Sequence, residues 1–252
     1  MLFIGGDPLN TKELKSIIEE SDNIVFFGGA GTSTESNIPD FRTADTGLYS
    51  STGEKYPPET MLSHSFFMKH TKEFYEFYKE KMIYPEAKPN LAHLALAELE
   101  RQGKLKAVIT QNIDGLHQLG GSKNVLELHG SVHRNYCMKC RESYSLEAVM
   151  NSEGIVPKCK KCGGIIKPDV VLYEEGLDHS TIQKSVEYIA NADVLIVGGT
   201  SLVVYPAAGL IEYYRGKKLI LINKSTTPYD HTANLVIQDS IGKVLDGVVG
   251  ER

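Results

Sequence analysis

Long apolar runs are missing from this sequence. No stretch approaches the roughly 18 apolar residues needed to cross a bilayer. The N-terminal MLFIGGDPLN carries no basic segment ahead of its short apolar run, so neither a membrane helix nor a secretory signal is expected. Positive charge is not in excess: 27 Lys and Arg face 32 Asp and Glu, for a net charge of -5. Tracking a phosphate backbone depends on clustered cations, so direct nucleic-acid binding is not expected. Internal repeats, coiled-coil heptads and low-complexity tails are absent as well. Cysteine is scarce: the chain has four in 252 residues, all between positions 137 and 162. Without a secretory signal the expected compartment is the reducing cytoplasm, where disulfides are rare, and metal ligation becomes the leading reading of the cysteines.

What is present is an ordinary globular balance, with 41% hydrophobic and 23% charged residues. A real core is possible without cross-links, in one large domain or one carrying a smaller insertion. Short apolar strands alternate with amphipathic helices. Asn10 or Thr11 is expected to cap a helix with Leu14, Ile17 and Ile18 on its apolar face. The strand IVFFGG (24–29) follows, and Asn90 caps a helix that Gly103 stops. Strands AVIT (107–110) and VLEL (125–128) come next, then a helix through Ile182, Val186 and Ile189. The strand VLIVGG (194–199), a helix over 207–214, the strand KLILIN (218–223) and the strand LVIQ close the pattern. This alternation predicts an α/β fold with a doubly wound parallel sheet. Two stretches break it. Residues 43–60 are rich in Gly, Ser, Thr and Pro and read as a long functional loop that orders over a ligand. Residues 132–168 hold all four cysteines with little strand pattern, as an insertion would.

Cys137 and Cys140 form one CxxC, Cys159 and Cys162 a second, with residues 141–158 between them. That spacing suits a four-thiolate zinc site, closed to water and therefore structural. Two redox pairs or four free thiols are the alternative. A nucleic-acid zinc ribbon is disfavoured by the acidic chain and by the scarcity of stacking aromatics between the knuckles, where Tyr144 stands alone.

Three polar segments follow strands. After the first comes GGAGTSTESNIPDFR (28–42), whose glycines allow backbone to approach a pyrophosphate, with a following helix N-terminus facing it. The third glycine of a dinucleotide fingerprint is replaced by Thr34, so a plain tight turn remains the alternative. TQNIDGLH (110–117) places Gln111, Asn112 and Asp114 at a strand's carboxyl end, where open parallel sheets bind ligands; Asn112 or Asp114 as a helix cap is the competing reading. ELHGSV (127–132) sets His129 after a strand, as a general base or as a core histidine bonded to backbone.

Taken together, GAGTSTESNIPDFR, TQNIDGLH, ELHG, the CxxC pair, PDVVLYEEGL, GGTSLVVYPAAG and LINKS occur in the order found in the sirtuins, and the chain closely resembles the bacterial branch of that family. The resemblance implies a Rossmann-like NAD domain (1–42, 91–131 and 169–252), a cofactor loop and helical module (43–90) and a zinc-binding module (132–168). It implies an NAD-dependent protein-lysine deacetylase. The acyl oxygen attacks the ribose anomeric carbon as nicotinamide leaves, a ribose hydroxyl then attacks with His129 as base, and water completes transfer to give lysine and O-acetyl-ADP-ribose. By the same resemblance Ala30, Thr34, Phe41 and Arg42 line the cofactor pocket. Gln111, Ile113 and Asp114 hold ribose and nicotinamide, Asn112 organises the nicotinamide-ribose site, and Thr200, Ser201, Asn223 and Ile241 contact the adenosine half. Val170, Val171 and Leu172 pair with an acetyl-lysine peptide as an added strand. Asn37 stands where the family usually has Gly, and Tyr173-Glu174 replaces a frequent Phe-Gly pair. Tyr75, followed three residues later by Tyr78 instead of Arg, implies an acyl pocket that favours neutral acyl groups, unless Lys79 or Lys81 reaches it. The competing functions are mono-ADP-ribosyl transfer, an NAD-linked dehydrogenase and a non-enzymatic zinc-ribbon module.

Overall fold

The structure is a computed structural model that describes residues 8–40 and 56–249. The sequence pattern recovers the main sheet. Strands β1 (Ile24–Gly28), β2 (Leu105–Thr110), β3 (Val125–Glu127), β7 (Val194–Gly198), β8 (Lys218–Ile222) and β9 (Leu235–Ile237) pair in the order β3-β2-β1-β7-β8-β9. All five pairings are parallel. β1 and β7 are buried at every position, so they read as continuous apolar runs instead of alternating ones. Helices cover both faces. On one side α1 (Pro8–Glu19), α5 (Leu91–Arg101) and α9 (Ile241–Val249) pack on Phe26, Val108, Ile196 and Ile222. On the other, α8 (His179–Asn191) and a 3-10 segment (Ala207–Tyr213) pack on Val25, Phe27, Ile109 and Val197.

Some boundaries differ from the sequence reading. α1 begins at Pro8, so Asn10 and Thr11 lie inside it and do not cap it. The helix expected over 207–214 is a 3-10 segment. α9 is absent from the sequence reading, although Asp239 and Ser240 directly precede it. Asn90 does cap α5, in a capping box with His93.

The largest departure lies at the insertion, which is a second sheet. β4 (Gly130–Cys137) pairs antiparallel with β5 (Ser143–Ser145) and with β6 (Ile166–Val170). Its short strands, mixed burial and register shift hide it from a period-two reading. This sheet shares a core with helices α2 (Pro58–Met61), α3 (His64–Lys69) and α4 (Thr71–Lys81). The core is largely aromatic: Phe66, Phe67, Phe74, Tyr75, Phe77 and Tyr78 meet Ile166, Val170 and the two buried cysteines.

Candidate functional site: a cleft at the sheet switch point

The strand order reverses between β1 and β7. In open parallel sheets that is where a crevice opens beyond the carboxyl ends of the strands. Gly28 and Gly198 pair there, and both chains continue in glycine. A Cβ on Gly31 would come within 2.8 Å of the Gly199 Cα, so only glycine allows the two loops to touch. Beyond Gly29 the backbone makes two 3-10 turns, Ala30–Thr32 and Thr34–Ser36, in place of the expected helix. Asn37 ends them in the left-handed region, with φ of 62°. Asn tolerates this conformation better than most residues, so the turn is kept without glycine.

A cleft of about 820 Å³ opens above these turns. Ala30, Thr34, Gln111, Asn112, His129, Thr200, Ser201, Asn223 and Ile241 all line it. A second cavity of about 460 Å³ shares Ala30, Gln111 and Asn112 with the first and adds Ile113 and Asp114. These residues come from six separate segments of the chain, and the fold gathers them at one end of the sheet. Phe41, Arg42 and residues 43–55 of the expected loop lie outside the described residues, and residues 58–60, also expected in that loop, instead open helix α2 (Pro58–Met61).

The polar groups are held in a network. Ser33, fully buried, donates to Asp114 Oδ2 at 2.7 Å and accepts from Asn112 Nδ2 at 3.0 Å. Asp114 Oδ1 accepts from the Leu116 amide at 2.9 Å, at the start of the short helix α6 (Leu116–Leu119). The N-cap of α6 is Gly115, which caps through no side chain, so Asp114 lies one residue before the cap position expected as its alternative role. Burial raises the Asp114 pKa above its usual value, against the hydrogen bonds that lower it. Gln111 Nε2 donates to Thr200 Oγ1 at 3.2 Å, and Asn223 Oδ1 accepts from the Thr200 amide at 2.9 Å. The Asn223 Nδ2 is buried without a partner, a donor suited to a ligand oxygen on this wall. On the far side Glu35 Oε1 accepts from the Gly242 amide at 3.0 Å, fixing the start of α9, where Ile241 enters the cleft.

His129 follows β3, with its Nδ1 2.9 Å from the Gln111 carbonyl oxygen. A carbonyl only accepts, so Nδ1 carries the proton and Nε2 is the basic nitrogen. Burial lowers the His129 pKa, against the bond to Gln111, which raises it; the ring is neutral at physiological pH and able to take a proton.

Val170, Val171 and Leu172 run beside His129 but do not line either cavity. Val170 and Leu172 are buried, and the Val171 amide donates to the His129 carbonyl at 3.0 Å. The wall residue from this segment is Tyr173. Its neighbour Glu174 adopts φ of 75° and accepts from the Ser65 amide at 2.8 Å, so the chain accommodates a non-glycine residue in the left-handed region. Tyr75 and Tyr78 are fully buried in the aromatic core, where Tyr75 donates to the Ile166 carbonyl. Neither ring lines a cavity, whereas Lys81 does, so Tyr78 gives no support to a preference for neutral acyl groups.

Sequence reasoning missed Ser33, which joins Asn112 to Asp114. The signal available was a small hydroxyl inside the glycine-rich turn, but its partners lie far away in sequence.

The four cysteines converge. Their Sγ atoms all lie within 4.8 Å of one another, with Cys137 to Cys162 at 3.5 Å and Cys140 to Cys159 at 3.6 Å, and none is in a disulfide. A tetrahedral zinc with Zn–S bonds of about 2.3 Å needs sulfurs about 3.8 Å apart, so four thiolates so placed fit one zinc ion. Tyr144 donates to Cys159 Sγ at 3.2 Å, and the Cys140 amide to Cys137 Sγ at 3.5 Å, offsetting thiolate charge. With four sulfurs and no open position, the site is structural. Among the described residues no helix is long and apolar enough to cross a membrane.

The pattern defining the Sir2 family matches residues 29–206. An NAD-dependent protein deacetylase of Clostridium acetobutylicum is 69% identical over 94% of this chain and 97% of its own length. A protein of the same name from Clostridium tetani is 66% identical over 95% and 97%. Among solved structures, Sir2 with a deacetylated p53 peptide and 3'-O-acetyl ADP-ribose superposes with a TM-score of 0.87 at 41% identity, covering 94% of this chain and 96% of that one. Sir2 with a p53 peptide and NAD+ gives 0.82 at 41%, covering 93% and 95%. The glycine-bounded cleft, the neutral histidine on its wall and the four-cysteine cage are thus carried on a chain that belongs to the Sir2 family.

Proposed function

We infer that the chain is an NAD-dependent protein-lysine deacetylase, transferring an acetyl group from lysine to ADP-ribose with release of nicotinamide. The observation that carries this reading is the tautomer of His129: Nδ1–H is committed to the Gln111 carbonyl, and Nε2 is left as a base on the wall of an NAD-sized cleft.

The linings of the two cavities support the roles of the cofactor residues. The cleft over Gly29–Gly31 accepts the pyrophosphate, because backbone can approach it closely there. Asn112, Ser33 and Asp114 form the polar edge of the adjoining cavity, suited to the carboxamide and ribose of the nicotinamide half together with Ile113. Thr200, Ser201, Asn223 and Ile241 form the adenosine end. Ala30 and Thr34 complete the wall, with Phe41 and Arg42 assigned to the same pocket from the sequence. His129 takes the proton of a ribose hydroxyl as that oxygen attacks the activated acyl carbon, a role that needs a neutral imidazole. The peptide lies along Val170, Val171 and Leu172, beside the His129 carbonyl. We assign residues 1–42, 91–131 and 169–252 to the NAD lobe, residues 43–90 to the loop and helical module and residues 132–168 to the zinc module. The shared aromatic core of the last two supports treating them as one facing lobe. Four thiolates committed to a metal suit a reducing compartment, and we place the protein in the cytoplasm.

Mass spectrometry of products from NAD and an acetyl-lysine peptide tests the reading. Nicotinamide and O-acetyl-ADP-ribose should form one for one with free lysine. ADP-ribosylated protein without deacetylation would favour transferase activity, and NADH formation would favour a dehydrogenase. Replacing His129 with Ala should lower turnover by about 10²–10⁴-fold while NAD affinity stays within about threefold. Near-normal turnover of that variant would remove His129 as the base.

A further inference from the structure

The cofactor turn has two faces. Its inner residues Gly29, Ala30, Gly31, Thr34 and Asn37 line the cleft, while Thr32 and Ser36 are buried on the outer side. The outer face is held by one side chain. Asn90 Nδ2 donates to the Thr32 carbonyl at 2.8 Å and to Ser36 Oγ at 3.0 Å. The same residue is the N-cap of α5, where its Oδ1 accepts from the Ala92 amide at 2.9 Å and its backbone N–H donates to His93 Nδ1 at 3.2 Å. Asn90 lines neither cavity.

An amide is the one short side chain that accepts with one end and donates twice with the other. Asp, Ser or Thr would cap α5 equally well. The cap therefore explains the oxygen of Asn90, and only the turn explains its nitrogen. α5 is anchored by Ala92, Ala95, Leu96 and Leu99 in the core of the large sheet. Asn90 thus ties the turn to a helix packed into that core. Ser33 lies between its two contact points and carries the bonds to Asn112 and Asp114, so a shift of Thr32 and Ser36 moves the nicotinamide end of the site as well.

We propose that Asn90 is a positioning residue for NAD: its side-chain amide holds the cofactor turn in its binding geometry from behind, without touching the ligand. This rests on the assignment of the cleft to NAD. It predicts a split between the substrates, because the peptide strand at 170–172 does not touch this clamp.

Two variants separate the clamp from the cap. Asn90→Ser keeps a capping oxygen and loses the reach to the turn. Asn90→Asp keeps the cap and replaces the donors with a carboxylate facing the Thr32 carbonyl. Both should raise the NAD KM, and the NAD Kd measured by calorimetry, by about tenfold, the size expected for one or two lost neutral hydrogen bonds. The acetyl-peptide KM should stay within about twofold, and the melting temperature should fall by only a few degrees, the cost of the lost turn contacts, because the cap survives. Unchanged NAD Kd in folded Asn90→Ser would overturn the proposal and leave Asn90 as a helix cap alone. Equal rises in both KM values would also overturn it, as a general loosening. Failure of the wild-type protein to bind NAD would strike the functional assignment instead, so the two failures are distinguishable.

Discussion

In the six-stranded sheet, β1 and β7 are buried along their whole length, and apolar side chains from five helical segments close over both faces. In the three-stranded sheet, β5 has two exposed serines, β4 alternates irregularly, and two cysteine sulfurs lie within the core itself. The first region has a continuous apolar core on each face of its sheet. The second has little sheet to bury and depends on an aromatic cluster on one side and a metal cage on the other. Small modules that cannot bury enough area commonly add such a constraint. The glycine-bounded cleft lies at the edge of the first region, and the segment proposed to meet the peptide runs out of β6 in the second. The expected contrast is between a sheet that holds its order without metal and one whose order depends on zinc.

The largest effect should come from breaking the cage. Cys159→Ser, or zinc removal by a chelator, should abolish deacetylation and lower hydrogen-exchange protection over residues 130–170, because zinc-binding energy is folding energy there. β1, β2 and β7 should keep their protection. Metal analysis should give one zinc per chain. Uniform loss of protection across both sheets would erase the contrast between the regions.

The large region has its own weakness, to acid. His93 and His117 are buried against each other with ring centroids 4.7 Å apart. His93 Nε2 and both nitrogens of His117 lack partners. Burial pushes His93 down to about 4 and His117 well below its ordinary value. The folded state refuses protons that the unfolded chain accepts below its own pKa of about 6.5, so stability is full above that pH and falls as pH drops towards 4. His93 alone should contribute a loss of roughly 3 kcal/mol over that window. Melting curves should show it, and His93→Gln, which retains an acceptor for the Asn90 amide, should flatten the slope. A slope unchanged in that variant would assign the acid sensitivity elsewhere.

A smaller effect is expected at the base of the cleft. Asp114 is held in a setting that disfavours its charge. Asp114→Asn should raise the melting temperature by about 2–4 °C, corresponding to about 1 kcal/mol, and should sharply reduce turnover. A less stable variant would mean that the bonds to Ser33 and Leu116 outweigh the burial of charge. Smallest of all should be Asn37→Gly, which swaps one residue tolerant of φ near 62° for another. Chemical denaturation should place it within about 0.5 kcal/mol of wild type. A larger loss would show that the Asn37 side chain itself holds the turn.

The same contrast governed what could be read in advance. Strands of a parallel sheet are covered on both faces, so IVFFG, VLIVG and KLILI declare themselves as apolar runs. The zinc cage was legible too, because CxxC spacing reflects local knuckle geometry. β4 to β6 were not, because their core is supplied by α3 and α4, about 60 to 100 residues earlier in the chain. The same reason hid the true environment of Tyr75 and Tyr78: a helical pattern shows that a face is buried, not whether it faces a cavity or a core.

By itself the sequence determined the succession of strands and helices that build the parallel sheet, the identity of the metal ligands and, through its ordered motifs, the family to which the chain belongs. Those depend on local spacing and apolar periodicity. Only the tertiary structure decided which polar groups meet. Ser33 bridges Asn112 and Asp114, Glu35 reaches Gly242, and Asn90 holds Thr32 and Ser36. It also decided which nitrogen of His129 is basic, because the proton follows the carbonyl of Gln111, a residue on a neighbouring loop. Each is a contact between segments far apart along the chain, made specific by packing at the strand ends, and no short-range pattern encodes it.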